Sequence, residues 1–276
     1  MKSAETDKWI ASNKAVWEKR TTSHVNSEFY DMKSFLEGKS SLNTFELELL
    51  GDVNKRSLLH LQCHFGQDTL SLARMGASCT GVDFTGSAVA TGNELAQKLS
   101  LDAKFVCCNV YDTRSHISET FDVVFTSYGT IGWLPDLKPW AKVVSESLKP
   151  GGAFVMVEFH PYVWMLDDNF QEIKYSYFNK EVIESTVTGS YASKEPLHDP
   201  MKEFGWNHPF SEVFTALLNA GLLMEIIAEY DGSPYNCFPG MEPGPDGLYR
   251  FLKWKDKMPL VYGIRFRKPH HENKDQ

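Results

Sequence analysis

From residue 57 onward the chain alternates short apolar runs with helical patterns at a steady spacing. SLLHLQ (57–62) reads as a buried strand, and QDTLSLARMG (67–76) as a helix closed by Gly76. SCTGV (78–82) is the next strand and GSAVATGNELAQKL (86–99) the next helix. AKFVCCNV (103–110), FDVVFT (121–126) and AFVMVEF (153–159) follow as strands, with LPDLKPWAKVVSESL (134–148) as a helix ended by Pro150-Gly151-Gly152. Near the end of the chain, PFSEVFTALLNAG (209–221) reads as a helix stopped at Gly221, flanked by strand LLMEIIAEY (222–230) and, later, PLVYGIRFRK (259–268). Short strands of Val, Phe and Leu separated by helical patterns predict parallel pairing through βαβ crossovers. The expected architecture is α/β and doubly wound, with helices on both sheet faces.

Three stretches stand outside that rhythm. Residues 1–50 set Trp9, Trp17, Phe29, Tyr30, Phe35 and Leu36 among polar positions, which predicts short amphipathic helices lying as a lid on a main domain at 51–276. Residues 160–208 are aromatic and charged with weak periodicity, and read as an insertion. The long connection 231–258 carries Tyr235, Phe238, Tyr249, Phe251 and Trp254. Connections of this length are functional or disordered, and five aromatics favour function, so both stretches are expected to cap a substrate site.

Composition narrows the class. The 276 residues are 42% hydrophobic, 13% aromatic and 23% charged, which excludes a disordered chain, collagen or a coiled-coil rod. A net charge of −8 argues against nucleic acid, whose phosphates need clustered Lys and Arg. No apolar run approaches a membrane span, and the first residues, MKSAETDKWIASNKAVW, have no secretory apolar core. The five cysteines (63, 79, 107, 108 and 237) form no CxxC pair, so neither a disulfide framework nor a metal site is expected. A reduced, cytoplasmic setting follows, with Cys63, Cys107 and Cys108 as small core residues. A homodimer is compatible with all of this but not required by it.

In an open parallel sheet, ligands bind beyond the carboxyl ends of the strands. The first strand ends in HLQCHFG (60–66), and the second ends in GVDFTG with Asp83 at its tip, 17 positions beyond Gly66. A carboxylate there is placed to accept hydrogen bonds from ribose hydroxyls and to repel a 2′-phosphate; its plainer role is an N-cap for the helix that follows. Glu158 and His160, in VEFHP, lie on the same strand edge and project to one side while the strand persists. A histidine there can serve as general base, or can cap backbone where the insertion begins. Asn207 and His208 read as helix-start residues or substrate contacts.

Taken together, HLQCHFGQDT, GVDFTG, FVCCNVYD, FDVVFTSYG and LKPGGAF resemble the class I S-adenosylmethionine-dependent methyltransferase family, and in particular a bacterial branch whose first turn reads LHLQCHFG. The likeness covers residues 57–159 and extends in strand type and order to the last two strands. It implies a Rossmann-like seven-stranded sheet, mostly parallel with the last strand antiparallel. The common turn of that family is acidic-x-Gly-x-Gly-x-Gly; here His60 replaces the acid, Gln62 and His64 replace two glycines, and Gly66 remains. By that resemblance, Gln62, Cys63, His64 and Gly66 line the methionine and ribose of S-adenosyl-L-methionine. Asp83 holds the ribose, Phe84 packs on adenine, and Asn109 and Val110 meet the adenine edge through the Asn109 side-chain oxygen and the Val110 backbone. Thr126, Ser127 and Tyr128 lie by the methionine and the transferred methyl, and Trp17 and Tyr30 close the lid. Tyr128, Glu158 and His160 are the candidates for catalysis. The implied activity is methyl transfer to a small molecule by in-line displacement, with the acceptor atom open. Two other readings stand beside it: a methyltransferase fold that binds the cofactor without turnover, and an NAD-dependent oxidoreductase. The loss of glycines that a pyrophosphate would need weighs against the second.

Overall fold

A computed structural model describes residues 4–193, 199–255 and 257–270. Five strands leave the same edge of one sheet: β1 (Ser57–Leu61), β2 (Ser78–Asp83), β3 (Ala103–Cys107), β4 (Phe121–Ser127) and β5 (Leu148–Phe159). β8 (Leu223–Tyr230) and β11 (Val261–Arg267) complete it in the order β3-β2-β1-β4-β5-β11-β8, with β11 antiparallel to both neighbours. The order runs outward from β1 in both directions. The reversal between β1 and β4 opens a crevice at their carboxyl ends, where such sheets bind ligands.

Neighbouring residues on each strand feed opposite layers, as a pleated strand requires. Leu59, Val124 and Phe154 pack against α7 (Leu137–Ser147) and α8 (Phe210–Asn219), with Trp140 fully buried on the ring of Phe154. Leu58, Val123 and Val155 face the other layer, built from α3 (Thr44–Leu50) and α4 (Gln67–Arg74), with α5 (Gly86–Leu99) beyond them over Phe105. Two shorter helices, α2 (Met32–Leu36) and α6 (Thr113–His116), fill the ends.

The stretches that broke the sequence rhythm have defined structure. Residues 4–25 form one 22-residue helix, α1 (Ala4–Val25), where short helices were expected. Its inward face is polar: Asn13, Arg20, Thr21 and His24 are buried beside Val16. The insertion carries an antiparallel hairpin, β6 (Ile183–Val187) with β7 (Met201–Gly205). The late connection carries a second, β9 (Met241–Pro243) with β10 (Tyr249–Phe251). The two stretches interlock through Phe238, which packs on Trp164 and Phe170, while the Trp254 indole donates to the Phe170 carbonyl. No described helix is long and apolar enough to cross a membrane.

α1 is fastened to both halves of the molecule. Asn13 donates to the Phe204 carbonyl and accepts from its N–H, and Arg20 pairs with Glu203 at 2.8 Å, joining α1 to β7. On the other side the Glu18 carboxylate takes the N–H groups of Gly86 and Ser87 and the Ser87 hydroxyl, capping α5 from outside. A carboxylate at that end also meets the positive pole of the helix dipole. Glu18→Ala should therefore cost about 1 kcal/mol, as cap losses do. The check is amide exchange, which should accelerate across residues 4–25 and stay unchanged in the sheet. Unchanged exchange in α1 would mean that its contacts to β7 and to the turn after β1 hold the helix without Glu18.

Candidate active site

The turn after β1 carries the site. Gln62, His64 and Gly66 all have positive φ (57°, 52° and 82°), so the backbone keeps the left-handed steps that glycine usually takes although two of the three are not glycine. Gly66 is needed for a second reason: a Cβ there would sit 2.1 Å from the Phe105 ring, so only glycine lets α4 approach β3. The His64 N–H donates to Asp83 Oδ2 at 2.9 Å, tying the turn to the tip of β2. The other carboxylate oxygen, Oδ1, takes the Thr85 N–H and hydroxyl. Both roles considered for Asp83 in the sequence are thus compatible: Oδ1 orders the start of α5, while Oδ2 keeps an acceptor position and the residue lines the cavity. Gln62 Nε2 donates to the Thr130 carbonyl, carrying the turn across to the end of β4.

A cavity of about 1690 Å³ opens over this edge, walled by the turn, the tips of β2 and β4, α1 and the two insertions. Single small-molecule sites run to about 300–1,000 Å³, so there is room for two ligands together. Gln62, Cys63, His64, Gly66, Asp83 and Phe84 line it. So do Asn109, Val110, Ser127, Tyr128, Trp17 and Tyr30. Trp17 packs edge-on against His64 and Trp133, and Tyr30 against Phe65, closing the roof. His24 Nδ1 lies 3.0 Å from His64 Nε2, and burial keeps both rings neutral, pushing His24 down to about 3.

Several expectations need correction. Thr126 is fully buried and donates to the Leu61 carbonyl behind the cavity wall. Asn109 spends its side-chain oxygen on the N–H of Tyr111, capping a short turn, so its amide N–H₂ is the group left for a ligand. Glu158 is buried at the cavity wall, and its carboxylate collects the N–H groups of Gly129, Thr130, Ile131 and Phe159, so that it shapes the loop after β4. His160 is not in the cavity wall. Its Nδ1 accepts from the Tyr162 N–H, its Nε2 meets Glu229, and its ring packs on Phe210. Asn207 and His208 are likewise structural, bonded to the Pro161 and Leu134 carbonyls. Cys107, expected in the core, is exposed at the end of β3.

Two carboxylates that carry no signal in the sequence lie against Tyr128 and Ser127 at the end of β4. Glu46 closes a capping box on Asn43 at the start of α3, and its second oxygen accepts from the Tyr128 hydroxyl at 2.8 Å. Asp68, at the start of α4, accepts from Ser41 and Ser127, and Ser127 in turn lies 3.4 Å from His60 Nε2. His60 is itself buried and neutral, burial taking it down to about 3, with Nδ1 on the Thr69 hydroxyl. Burial, with the neighbouring Asp68 charge, raises Glu46 to about 7. Tyr128 has φ 34°, a strained step that aims its ring at Tyr235.

The raised carboxyl gives a pH signature. A folded pKa above the unfolded one favours folding while the group is protonated, and that advantage is lost as pH rises from about 4.5 through about 7. Glu46→Gln retains an acceptor for the Asn43 N–H and never ionises. Its stability relative to the parent should grow between pH 5 and 8, by up to roughly 3 kcal/mol for a shift of this size. Urea unfolding at pH 5, 6, 7 and 8 reads this directly. A difference independent of pH would place the Glu46 pKa near its ordinary value.

Comparison with known proteins agrees with this fold. A family model described as "Methyltransferase domain" matches residues 58–152, from β1 into β5. The sterol 4-C-methyltransferase of Caenorhabditis elegans is 30% identical over 115 residues, covering 41% of this chain; the match spans about a third (33%) of that protein's length. Among solved structures, an S-adenosylmethionine-dependent methyltransferase from Clostridium acetobutylicum superposes with a TM-score of 0.56 at 14% identity, over 92% of this chain and 97% of that one. Geranyl diphosphate C-methyltransferase from Streptomyces coelicolor, in complex with S-adenosyl-L-homocysteine, gives 0.54 at 16% identity, over 91% and 82%. At those identities the structural likeness speaks for fold alone. Residues 58–152 thus match a methyltransferase-domain model, and the chain has the Rossmann-like fold of the methyltransferase structures to which it is similar.

Proposed function

We propose that this chain transfers a methyl group from S-adenosylmethionine to a small-molecule acceptor. The observation that carries the reading is the cavity at the β1/β4 switch point, where the retained left-handed turn and the Asp83 carboxylate meet. The residues present fit the group. Among the described residues, Gln62 Oε1 and His64 Nδ1 have no partner, buried in side chains that line the cavity, and Asp83 Oδ2 has an acceptor position to spare. Hydroxyl and amino groups of an adenosine with an amino-acid tail would complete such atoms, whose unmet bonding would otherwise cost about 1–3 kcal/mol each.

Asp83 would hold the ribose, Phe84 the adenine face, and the Asn109 amide N–H₂ a ring nitrogen. The 62–66 backbone would run beside the methionine portion, with Ser127 and Tyr128 facing the reacting carbon. When bound, the group supplies a methyl already activated by a sulfonium, so the protein's task is alignment and exclusion of water. α1 serves as the lid: Trp17 and Tyr30 close the roof, and Glu18 and Arg20 latch it on opposite sides. The insertion and the 231–258 connection serve as the acceptor's cap, with Tyr235, Phe238 and Trp164 presented to the cavity. Proton removal from a hydroxyl or ammonium acceptor falls to Tyr128, which passes its own proton to Glu46 as it takes the acceptor's. Neither Glu158 nor His160 is needed for this.

Titration with S-adenosylhomocysteine should show binding, and Asp83→Asn should weaken it by about tenfold or more, the loss expected for a charge-assisted hydrogen bond. A change below about threefold would remove Asp83 from the ribose site. Turnover is tested with methyl-labelled S-adenosylmethionine and fractionated metabolites. A labelled product that disappears with Tyr128→Phe is expected. Cofactor binding without any methylated product would leave a binding protein with a methyltransferase fold.

A further inference from the structure

Resting on the methyl-transfer reading, we infer that the acceptor is an organic cation, an amine whose ammonium group docks on Asp68 within a cage of tyrosines. Asp68 faces the cavity from the first turn of α4, and only two hydroxyls hold it, Ser41 on one oxygen (2.6 Å) and Ser127 on the other (3.0 Å). Each oxygen keeps an acceptor position. Around it the rings form a continuous wall. The Tyr30 and Tyr191 hydroxyls meet at 2.6 Å, Phe29 packs on both Tyr191 and Tyr235, and Tyr235 stands edge-on to Tyr128. Burial raises the pKa of all four tyrosines, with the Asp68 charge adding to it, so they remain neutral phenols at ordinary pH.

Among the described residues, no protein cation answers Asp68. The basic side chains in the cavity wall are Arg20, Lys39 and Lys174, and each is paired elsewhere, with Glu203, Asp31 and Asp168. A desolvated carboxylate lacking a counter-charge is costly, and a ligand ammonium is the group that would balance it. Aromatic faces carry negative potential and favour a cation over a neutral or anionic group of the same size. An anionic acceptor would be repelled by Asp68 and by Asp83 together. An amine must also lose a proton before it can accept a methyl group. Tyr128 lies in the cage and Glu46 behind it, so the proton passes to the Tyr128 oxygen as the phenol proton moves to Glu46.

Calorimetric titration of the protein saturated with S-adenosylhomocysteine separates these ideas, using benzylamine, phenethylamine and cyclohexylamine, each against the alcohol of the same skeleton. At least one amine should bind about tenfold more tightly than its alcohol. Asp68→Asn should erase that preference and leave the S-adenosylhomocysteine Kd within about threefold, since an amide retains the serine bonds. Tyr235→Leu, which leaves the carboxylate in place, should weaken the amine about fivefold. Equal binding of every amine and its alcohol overturns the inference. So does an Asp68→Asn loss that falls on S-adenosylhomocysteine, because the carboxylate would then serve the cofactor's own amino group. Should S-adenosylhomocysteine not bind the parent protein, the methyl-transfer reading fails by itself, and the amine–alcohol comparison without it still tests the cage.

Discussion

The turn between β1 and α4 is held in a shape that two of its residues resist, and the site depends on what holds it there. Gln62 and His64 stand in the left-handed region, where each non-glycine residue costs of order 1–3 kcal/mol. The offsetting interactions are specific. The His64 N–H meets a buried carboxylate, a bond stronger than one between neutral groups, and the Gln62 amide bonds the Thr130 carbonyl. The two side chains thus add interactions that glycine could not make. Gln62 links the β1 turn to the loop after β4, and His64 fills the roof against Trp17, His24 and Tyr30. The same loop is fixed from its far side by Glu158, so three strand ends are joined into one frame by hydrogen bonds.

The cover over that frame is built on a different principle. The sheet layers are joined by apolar burial, which is strong and non-directional. α1 instead presents Asn13, Arg20 and His24 inward beside Val16, and adds to the ring contacts of Trp9 and Trp17 a set of individual polar bonds to β7, α5 and the turn. Bonds of that kind exchange with water at small net cost, commonly about 1 kcal/mol apiece. On the proposed reading, an element attached in this way can leave and return without disturbing the core, as the passage of ligands beneath a cover requires.

How much of this could be read from the chain follows from the range of each interaction. The strands of the sheet were legible because burial on both faces makes near-continuous apolar runs, as in SLLHLQ and FDVVFT. α1 read as several short helices because its buried face is polar and breaks the apolar period. The β6–β7 hairpin gave no signal, since IESTV and MKEFG are only half-buried and pair with each other outside the main sheet. The turn and Asp83 stand near each other in sequence and were found. Position alone suggested that Glu158 and His160 were chemical, because an edge location does not reveal that one is consumed by backbone N–H groups and the other by Glu229 and Tyr162. Glu46 and Asp68 were missed for the converse reason. The local pattern Asn43-x-x-Glu46 is a helix cap, and only the fold brings its second oxygen to Tyr128, 82 residues further along.

That convergence of carboxylates has an electrostatic consequence for the whole crevice. Where the resembling family places an acid at the end of β1, this chain has His60, buried and uncharged; Asp68 returns a carboxylate to the neighbourhood through Ser127, from the first turn of α4. Both positions border the cavity, but position 60 is buried at the end of a central strand while Asp68 stands on the helix beside it. The charge is thereby moved from β1 to the neighbouring helix, still within hydrogen-bond reach of the end of β4. Asp83 and Asp68 then flank the crevice at two points with the neutral turn between them. A molecule spanning both would be oriented by its own distribution of donors and positive charge before any apolar contact is made, because Coulomb attraction in a partly desolvated cavity reaches further than packing.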